Sequence, residues 1–286
     1  MSLLTPQLRA RLANITGQEP LAATPLSGGC IAQVAKVELA DDTVVVVKLA
    51  PEGGLALEGR MLRDLAKVDK VPVPEVLAAS DNLLVLAFIP SDGRLDASAE
   101  RHAAELLAGL HGVGAEAFGY PYDTLIGALP QPNPWSESWI DFFRDQRLLT
   151  MGRRALEAGR LPAASFGRLE TLCGRLETWI DEPNRPALIH GDLWDGNILA
   201  AGGRIAALLD PAIYYADPEI ELAFTTLFGT FGEAFFERYG ELRPIAPGFF
   251  ETRRELYNLY PLLVHVTLFG GGYVQSVERT LDRFLG

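Results

Sequence analysis

Short β-branched runs separated by turn residues fill the first part of the chain. TPLSGGCIAQVAKVELADDTVVVVKLA holds a turn at Ser27-Gly28-Gly29-Cys30, then apolar runs on either side of Asp41-Asp42. This pattern predicts a hairpin and a buried strand ending at Lys48. GGLALEGRMLRDLAKV then places Leu55, Leu62 and Leu65 at helical spacing, with Glu58 and Met61 between them. VPVPEVLAAS and NLLVLAFIP read as two more strands, broken by Pro72, Pro74 and Pro90. Residues 1–89 are therefore expected to form a small antiparallel sheet with one helix packed on it. Beyond Pro90 the period changes, and 97–111, 135–159 and 163–180 are helical patterns, the first two separated by the loop GYPYDTLIGALPQPNP. The short run PALI leads into HGDLWDGNIL and a hairpin-like IAALLD, and helical periodicity returns from Pro218 with turns near Pro244 and Pro247. No internal repeat interrupts this order. The expectation is an α+β, two-lobed chain: a sheet-rich lobe over 1–89 and a larger helical lobe over 90–286, joined by a short connector at 88–92.

Composition narrows the class. The chain has 286 residues, with 25 Lys+Arg against 37 Asp+Glu and a net charge of −12. A protein that displaces counterions from nucleic-acid phosphates needs a basic footprint, so nucleic acid is not the expected partner. With 48% hydrophobic and 22% charged residues the chain is ordinary for a globular protein and too apolar for a disordered one. No apolar run is long enough to span a bilayer, and the start MSLLTPQLRARLANITG lacks the layout of a signal peptide. Cys30 and Cys173 make neither a disulfide framework nor a zinc cluster. A cytoplasmic enzyme with no membrane partner is the expectation.

Chemistry concentrates in His190-Gly191-Asp192-Leu193-Trp194-Asp195-Gly196-Asn197, followed by Asp210-Pro211. Asp192 and Asn197 have the D-x-x-x-x-N spacing of a kinase catalytic loop. Such a loop sets a carboxylate beside the attacking hydroxyl and an amide oxygen on Mg²⁺. A second acidic ligand must come from a neighbouring strand end, and Asp210 terminates IAALLD. Phosphoryl transfer calls for this set because its transition state is mostly spread charge, met by metal ions and oriented donors. Lys48, at the end of VVVVK, brings an ammonium to a sheet edge, and Glu58 follows ten residues later on a helix, placed to pair with it. The Gly28-Gly29 turn can present backbone N–H groups to phosphates. Each feature alone has an ordinary structural explanation. Their order and spacing together point to one nucleotide-binding lobe and a catalytic loop.

HGDLWDGN, DPAIYYADPEIELA, LYNLYPLLVHVTLFGGGY and SGGCI resemble the fructosamine-3-kinase (ketosamine kinase) family, a branch of the aminoglycoside-phosphotransferase and protein-kinase-like superfamily. The resemblance runs from about residue 16 to the C-terminus. It implies a bilobal protein-kinase-like fold and an ATP- and Mg²⁺-dependent kinase that phosphorylates the 3-hydroxyl of fructosamines or ribulosamines, a deglycation role. By the same resemblance Asp192 is the catalytic carboxylate, Asn197 and Asp210 the Mg²⁺ ligands, and Lys48 with Glu58 the phosphate-anchoring pair. Ala87, Phe88 and Ile89 match the hinge that bonds the adenine edge, and Trp194 offers a face for a sugar.

Two departures bear on the substrate. The family usually has Ser after the tryptophan, where this chain has Asp195, a carboxylate suited to a cationic amine or simply to solvent. ADPEIELA stands for the commoner GDREADLA, keeping Asp217 and Glu219 but losing the arginine between them, so Asp217 joins the substrate-side candidates. A cysteine at Cys30 supports redox-linked dimerisation in family members, leaving a monomer and a redox-dependent homodimer both open. Cys173, His111 and His265 read as packed residues, and His190 as a buttress of the catalytic loop. Aminoglycoside, choline and sugar acceptors remain alternatives, as does a nucleotide-binding scaffold without activity. A protein kinase does not fit, because HRD, DFG and an APE-terminated activation segment are absent.

Overall fold

The first helix is one that the strand-rich pattern of the early sequence conceals. In the computed structural model, which describes residues 3–26 and 32–286, α1 (Pro6–Thr16) begins where the Thr5 hydroxyl accepts from the Leu8 amide at 3.2 Å. It buries Leu8 and Leu12, one turn apart. Strands β1 (Pro20–Pro25), β2 (Gln33–Leu39) and β3 (Val44–Leu49) follow, then α2 (Leu55–Val68), β4 (Val76–Ser80) and β5 (Leu83–Ala87). The five strands form one antiparallel sheet in the order β1-β2-β3-β5-β4. Sequence reading anticipates one helix for this sheet, and the structure has two. Leu8 and Leu12 pack with Val45 and Val47, while Leu55 and Leu62 of α2 pack with Leu84 and Leu86.

That division follows from the two-residue period of a strand. Val45 and Val47 belong to the α1 cluster, and Val46 to the α2 cluster. Lys48, two residues beyond Val46, falls on the α2 face, opposite Leu84 in register. A lysine at the end of an apolar strand thereby meets a glutamate on the helix that covers that face.

The chain continues through α3 (Ala97–Leu110), the β6 (Thr124–Ile126) and β7 (Leu129–Gln131) hairpin and α4 (Trp139–Phe142). A π-helical segment, Phe143–Leu149, separates α4 from α5 (Thr150–Glu157), so the helical pattern over 135–159 is realised in three pieces. Next come α6 (Ala163–Cys173), β8 (Ala187–Ile189), the hairpin of β9 (Ile198–Ala201) and β10 (Arg204–Leu208), and β11 (Tyr214–Ala216), which pairs with β8. Helices α7 (Glu219–Leu227), α8 (Glu233–Leu242), α9 (Arg254–Phe269) and α10 (Gly272–Leu285) complete the chain. No helix among the described residues is long and apolar enough to cross a membrane.

Two compact units divide the chain: Met1–Ala103 with Gly196–Pro211, and Ala104–Asp195 with Ala212–Gly286. The β9–β10 ribbon joins the first unit through hydrogen bonds no periodicity reveals. Leu208 N–H donates to Pro72 O at 2.8 Å, Asp92 N–H to Ala200 O at 2.9 Å, and Ile205 N–H to His102 Nδ1 at 3.0 Å.

Gly59 sets how closely α2 lies on the sheet. A Cβ there would stand 2.6 Å from Ala79 Cβ and 3.1 Å from Leu84 Cδ1. Gly59→Ala should gain ~1 kcal/mol of helix propensity and lose ~1–3 kcal/mol to overpacking. The expected net result is a lower urea midpoint with an unchanged slope. An unchanged or raised midpoint would show that α2 is free to move off β4.

Candidate active site

In the first unit, Lys48 is 7% exposed and serves two carboxylates. Its Nζ donates to Glu58 Oε1 and to Asp210 Oδ1, both at 2.7 Å. Burial alone would lower the lysine's affinity for its proton, but the two carboxylates outweigh it and hold the ammonium more firmly than in water. Glu58 is pushed up to about 7 by burial and by the neighbouring Asp210 carboxylate, with Lys48 opposing both. Two acids thus compete for one cation.

Asp210 reaches Lys48 from the end of β10 with a backbone φ of 50°, in the left-handed region that non-glycine residues seldom adopt. Residues held this way cluster at ligand sites, where surrounding structure compensates the strain. The compensation is visible: Leu208 pairs with Ile198, and Leu209 N–H donates to Asn197 O at 2.9 Å. The pairing brings buried Asn197 and partly exposed Asp210 to the same end of one ribbon. One carboxylate and one amide are hard oxygen donors of the kind Mg²⁺ takes from a protein when phosphates and water fill its other positions. The residues fit that ion.

Of the three residues expected to form a hinge, Ala87 donates its N–H to Glu75 O at 3.0 Å and Phe88 to Val44 O at 3.4 Å. Gly28, Gly29 and Cys30 lie outside the described residues.

In the second unit, β8 delivers His190, Gly191 and Asp192. Gly191 has φ 86°, and a Cβ there would come 2.1 Å from Ala212 O, so only glycine allows the loop to approach the segment ahead of β11 this closely. Asp192 is half-buried and lines a cavity with Ile189, Tyr214, Phe224, Tyr260 and His265. Trp194 is 38% exposed, with its ring 6.2 Å from Phe228 in an edge contact, and Asp195 is exposed. Asp217 has a different setting. It is buried, with Oδ1 accepting from the Glu219 amide at 2.9 Å and Oδ2 from the Tyr257 hydroxyl at 2.6 Å. Burial and the nearby Glu219 push its carboxyl up to about 6, despite those hydrogen bonds. Its oxygens are thus engaged at the start of α7 rather than in the Asp192 cavity. Glu219 itself is held by Arg253 through two hydrogen bonds at 2.6 and 2.7 Å. Cys173 is buried, which pushes its thiol up to about 12 and makes it an inert core residue.

Glu221 has no place among the residues singled out from sequence, yet it organises the loop. Its Oε1 accepts from the Gly191 amide at 2.7 Å and its Oε2 from the His190 amide at 3.1 Å. Its Oε2 also meets His111 Nε2 at 2.9 Å, and His111 Nδ1 meets the Tyr239 hydroxyl at 2.7 Å. Burial alone would raise the Glu221 carboxyl, but the His111 hydrogen bond, the two neighbouring imidazoles and the Gly191 amide hold it below the ordinary range. It stays ionised and clamps both amides that precede Asp192. His111 is packed, as its sequence context suggests, but as part of this clamp. The available signal was a histidine and an acid in separate helical segments, and only the fold connects them.

Glu221→Gln leaves one oxygen for two amide donors and aims an NH₂ at the second. Amide exchange at Gly191 should accelerate at least about tenfold, with thermal stability lowered by ~1–3 kcal/mol. Unchanged exchange at both amides would show that the clamp does not hold the loop.

The fructosamine kinase family model matches residues 5–286. The chain is 38% identical to a probable ketoamine kinase of Synechocystis, covering 91% of this chain and 89% of that protein. It is 31% identical to the chloroplastic protein-ribulosamine 3-kinase of Arabidopsis thaliana, over 91% of this chain and 81% of the other. A crystal structure from Thermobifida fusca, described as a fructosamine-3-kinase candidate, superimposes with a TM-score of 0.86 at 32% identity, covering 99% of each chain. The fold extends to an aminoglycoside phosphotransferase solved with ADP and hygromycin B, at a TM-score of 0.70 and 15% identity over 98% of this chain and 99% of that one. With an α+β frame of this kind and the family pattern running through nearly its whole length, the chain belongs to the fructosamine kinase family.

Proposed function

We propose that this protein is an ATP-dependent kinase that phosphorylates the 3-hydroxyl of a ketosamine, a fructosamine or ribulosamine adduct of an amine. The observation that carries the reading is the Lys48 ammonium bonded to both Glu58 and Asp210. It occurs in a chain related over 91% of its length to a protein-ribulosamine 3-kinase. Mg·ATP, when bound, supplies the phosphoryl group and a cation that offsets its charge. Lys48 donates to phosphate oxygens, and Glu58 holds the ammonium in place while it does so. Asn197 and Asp210 hold the Mg²⁺ ion. With the Ala87 and Phe88 amides used inside the sheet, the Ile89 N–H is the hinge donor for the adenine edge. The Asp192 carboxylate orients the acceptor hydroxyl and takes its proton as the new P–O bond forms. Trp194 presents an exposed face to the sugar, and Asp195 a carboxylate to a cationic amine.

The product explains a repair role. A phosphate at C3 of a ketosamine lies next to the C2 carbonyl. Enolisation toward C1 removes a C1 proton, the C3–O bond breaks, and inorganic phosphate leaves. Hydrolysis of the resulting imine frees the amine, and the sugar departs as a 3-deoxy dicarbonyl.

Purified protein with Mg·ATP should release ADP in the presence of ribulosyl-lysine or fructosyl-lysine, and Asp192→Asn should lose at least about 10²-fold of that rate while remaining folded. Phosphorylation of an aminoglycoside, choline or a free sugar with neither ketosamine used would overturn the reading.

A further inference from the structure

Arg147 is fully buried in the second unit, within the π-helical segment. Buried charges are ordinarily paired, but the hydrogen-bond partners of this guanidinium are neutral. Nη1 donates to Pro132 O at 2.8 Å and to Gln146 O at 3.2 Å, Nη2 donates to Asn133 Oδ1 at 2.6 Å, and Nε has no hydrogen-bond partner among the described residues. The remaining surroundings are aromatic. The guanidinium carbon lies 3.8 Å from the Tyr214 ring centroid, 4.6 Å from that of Phe142 and 5.5 Å from that of Tyr260.

Tyr214 and Tyr260 are also walls of the cavity that holds Asp192. A second route joins the arginine to the same wall. Asn133 Nδ2 donates to Thr124 Oγ1 at 2.8 Å, and Gln131 Nε2 donates to the same oxygen at 2.8 Å. Gln131 Nε2 also donates to Ala212 O at 3.0 Å, and the Tyr260 hydroxyl donates to Gln131 Oε1. The guanidinium therefore fixes the two tyrosines by stacking and, through Asn133, Thr124 and Gln131, fixes the Tyr260 hydroxyl as well. With only neutral acceptors for its hydrogen bonds, the cation draws much of its compensation from the faces of the rings around it. π-Helical turns also recur at functional sites.

We infer that Arg147 is a positioning residue of the acceptor cavity, holding Tyr214 and Tyr260 as the wall against which the ketosamine lies beside Asp192. The inference rests on the proposed reaction for the identity of the acceptor, and on the cavity alone for the role of the arginine. A bound sugar must meet Asp192 in a narrow range of geometry, so a loosened wall should appear in acceptor kinetics and leave nucleotide kinetics alone.

Arg147→Met and Arg147→Lys test this with three readouts: the thermal midpoint, Michaelis constants for ketosamine and ATP, and tyrosine ring-flip rates by NMR of ring-labelled protein without acceptor. Arg147→Met should remain folded with a modestly lowered midpoint and lower kcat/KM for the ketosamine at least about tenfold, with the KM for ATP within about twofold. The Tyr214 and Tyr260 rings should flip faster than in the wild type. Arg147→Lys keeps the charge but loses the planar fork, and should fall between the two. Wild-type acceptor kinetics in a folded Arg147→Met or Arg147→Lys would overturn the inference. So would a large loss of stability in Arg147→Met, which would make the arginine a structural residue. Absence of ketosamine turnover in the wild type would instead fail the proposed function. In that case ring flips decide the positioning role, and unchanged rates in both variants overturn it.

Discussion

A buried ammonium shared by two carboxylates is the constraint around which the first unit is arranged. Lys48 is buried only because Glu58 and Asp210 accompany it, each 2.7 Å from Nζ. Meeting that condition requires three separate segments to converge. The strand period turns Lys48 toward α2, Gly59 lets α2 lie close against β4, and the β9–β10 ribbon carries Asp210 in with a left-handed backbone. Removing the ammonium would leave the buried Glu58 carboxylate without its cation, which for a buried pair costs about 3–5 kcal/mol. The same group that is demanding to bury is the one suited to phosphate oxygens, so packing and chemistry select the same residue.

The second unit handles charge by another route. Asp192 stands on a loop whose two preceding amides are clamped by ionised Glu221, itself backed by His111 and Tyr239. The rings of Tyr214 and Tyr260 also lie against a guanidinium whose hydrogen-bond partners among the described residues are neutral. An anion secured by amides and a cation secured by ring faces both preorganise the cavity, at fixed positions that need little rearrangement when a reaction develops charge.

Much of this was legible in the sequence because short-range pattern encodes it. The D-x-x-x-x-N spacing, the strand ending in Lys48 and the helix carrying Glu58 are local features, and the structure brings Lys48, Glu58 and Asp210 into contact. What the sequence concealed depends on contacts between distant segments. Glu221 and His111 are separated by 110 positions, and the Arg147 network gathers residues from four segments. Asp217, an acid close to a family motif, has contacts that the motif does not show: its oxygens accept from Tyr257 and from the start of α7. α1 escaped notice because its apolar face is narrow, resting on Leu8 and Leu12.

The most direct test of the central claim is Lys48→Met, measured together with Glu58→Gln for Mg·ATP turnover on a ketosamine and for thermal stability. If Lys48 anchors phosphate and Glu58 only holds it, Lys48→Met should abolish turnover to within about 10²-fold of background, and Glu58→Gln should retain a measurable part of it with a raised KM for ATP. A folded Lys48→Met that keeps wild-type turnover would contradict the account and return the lysine to an ordinary ion pair.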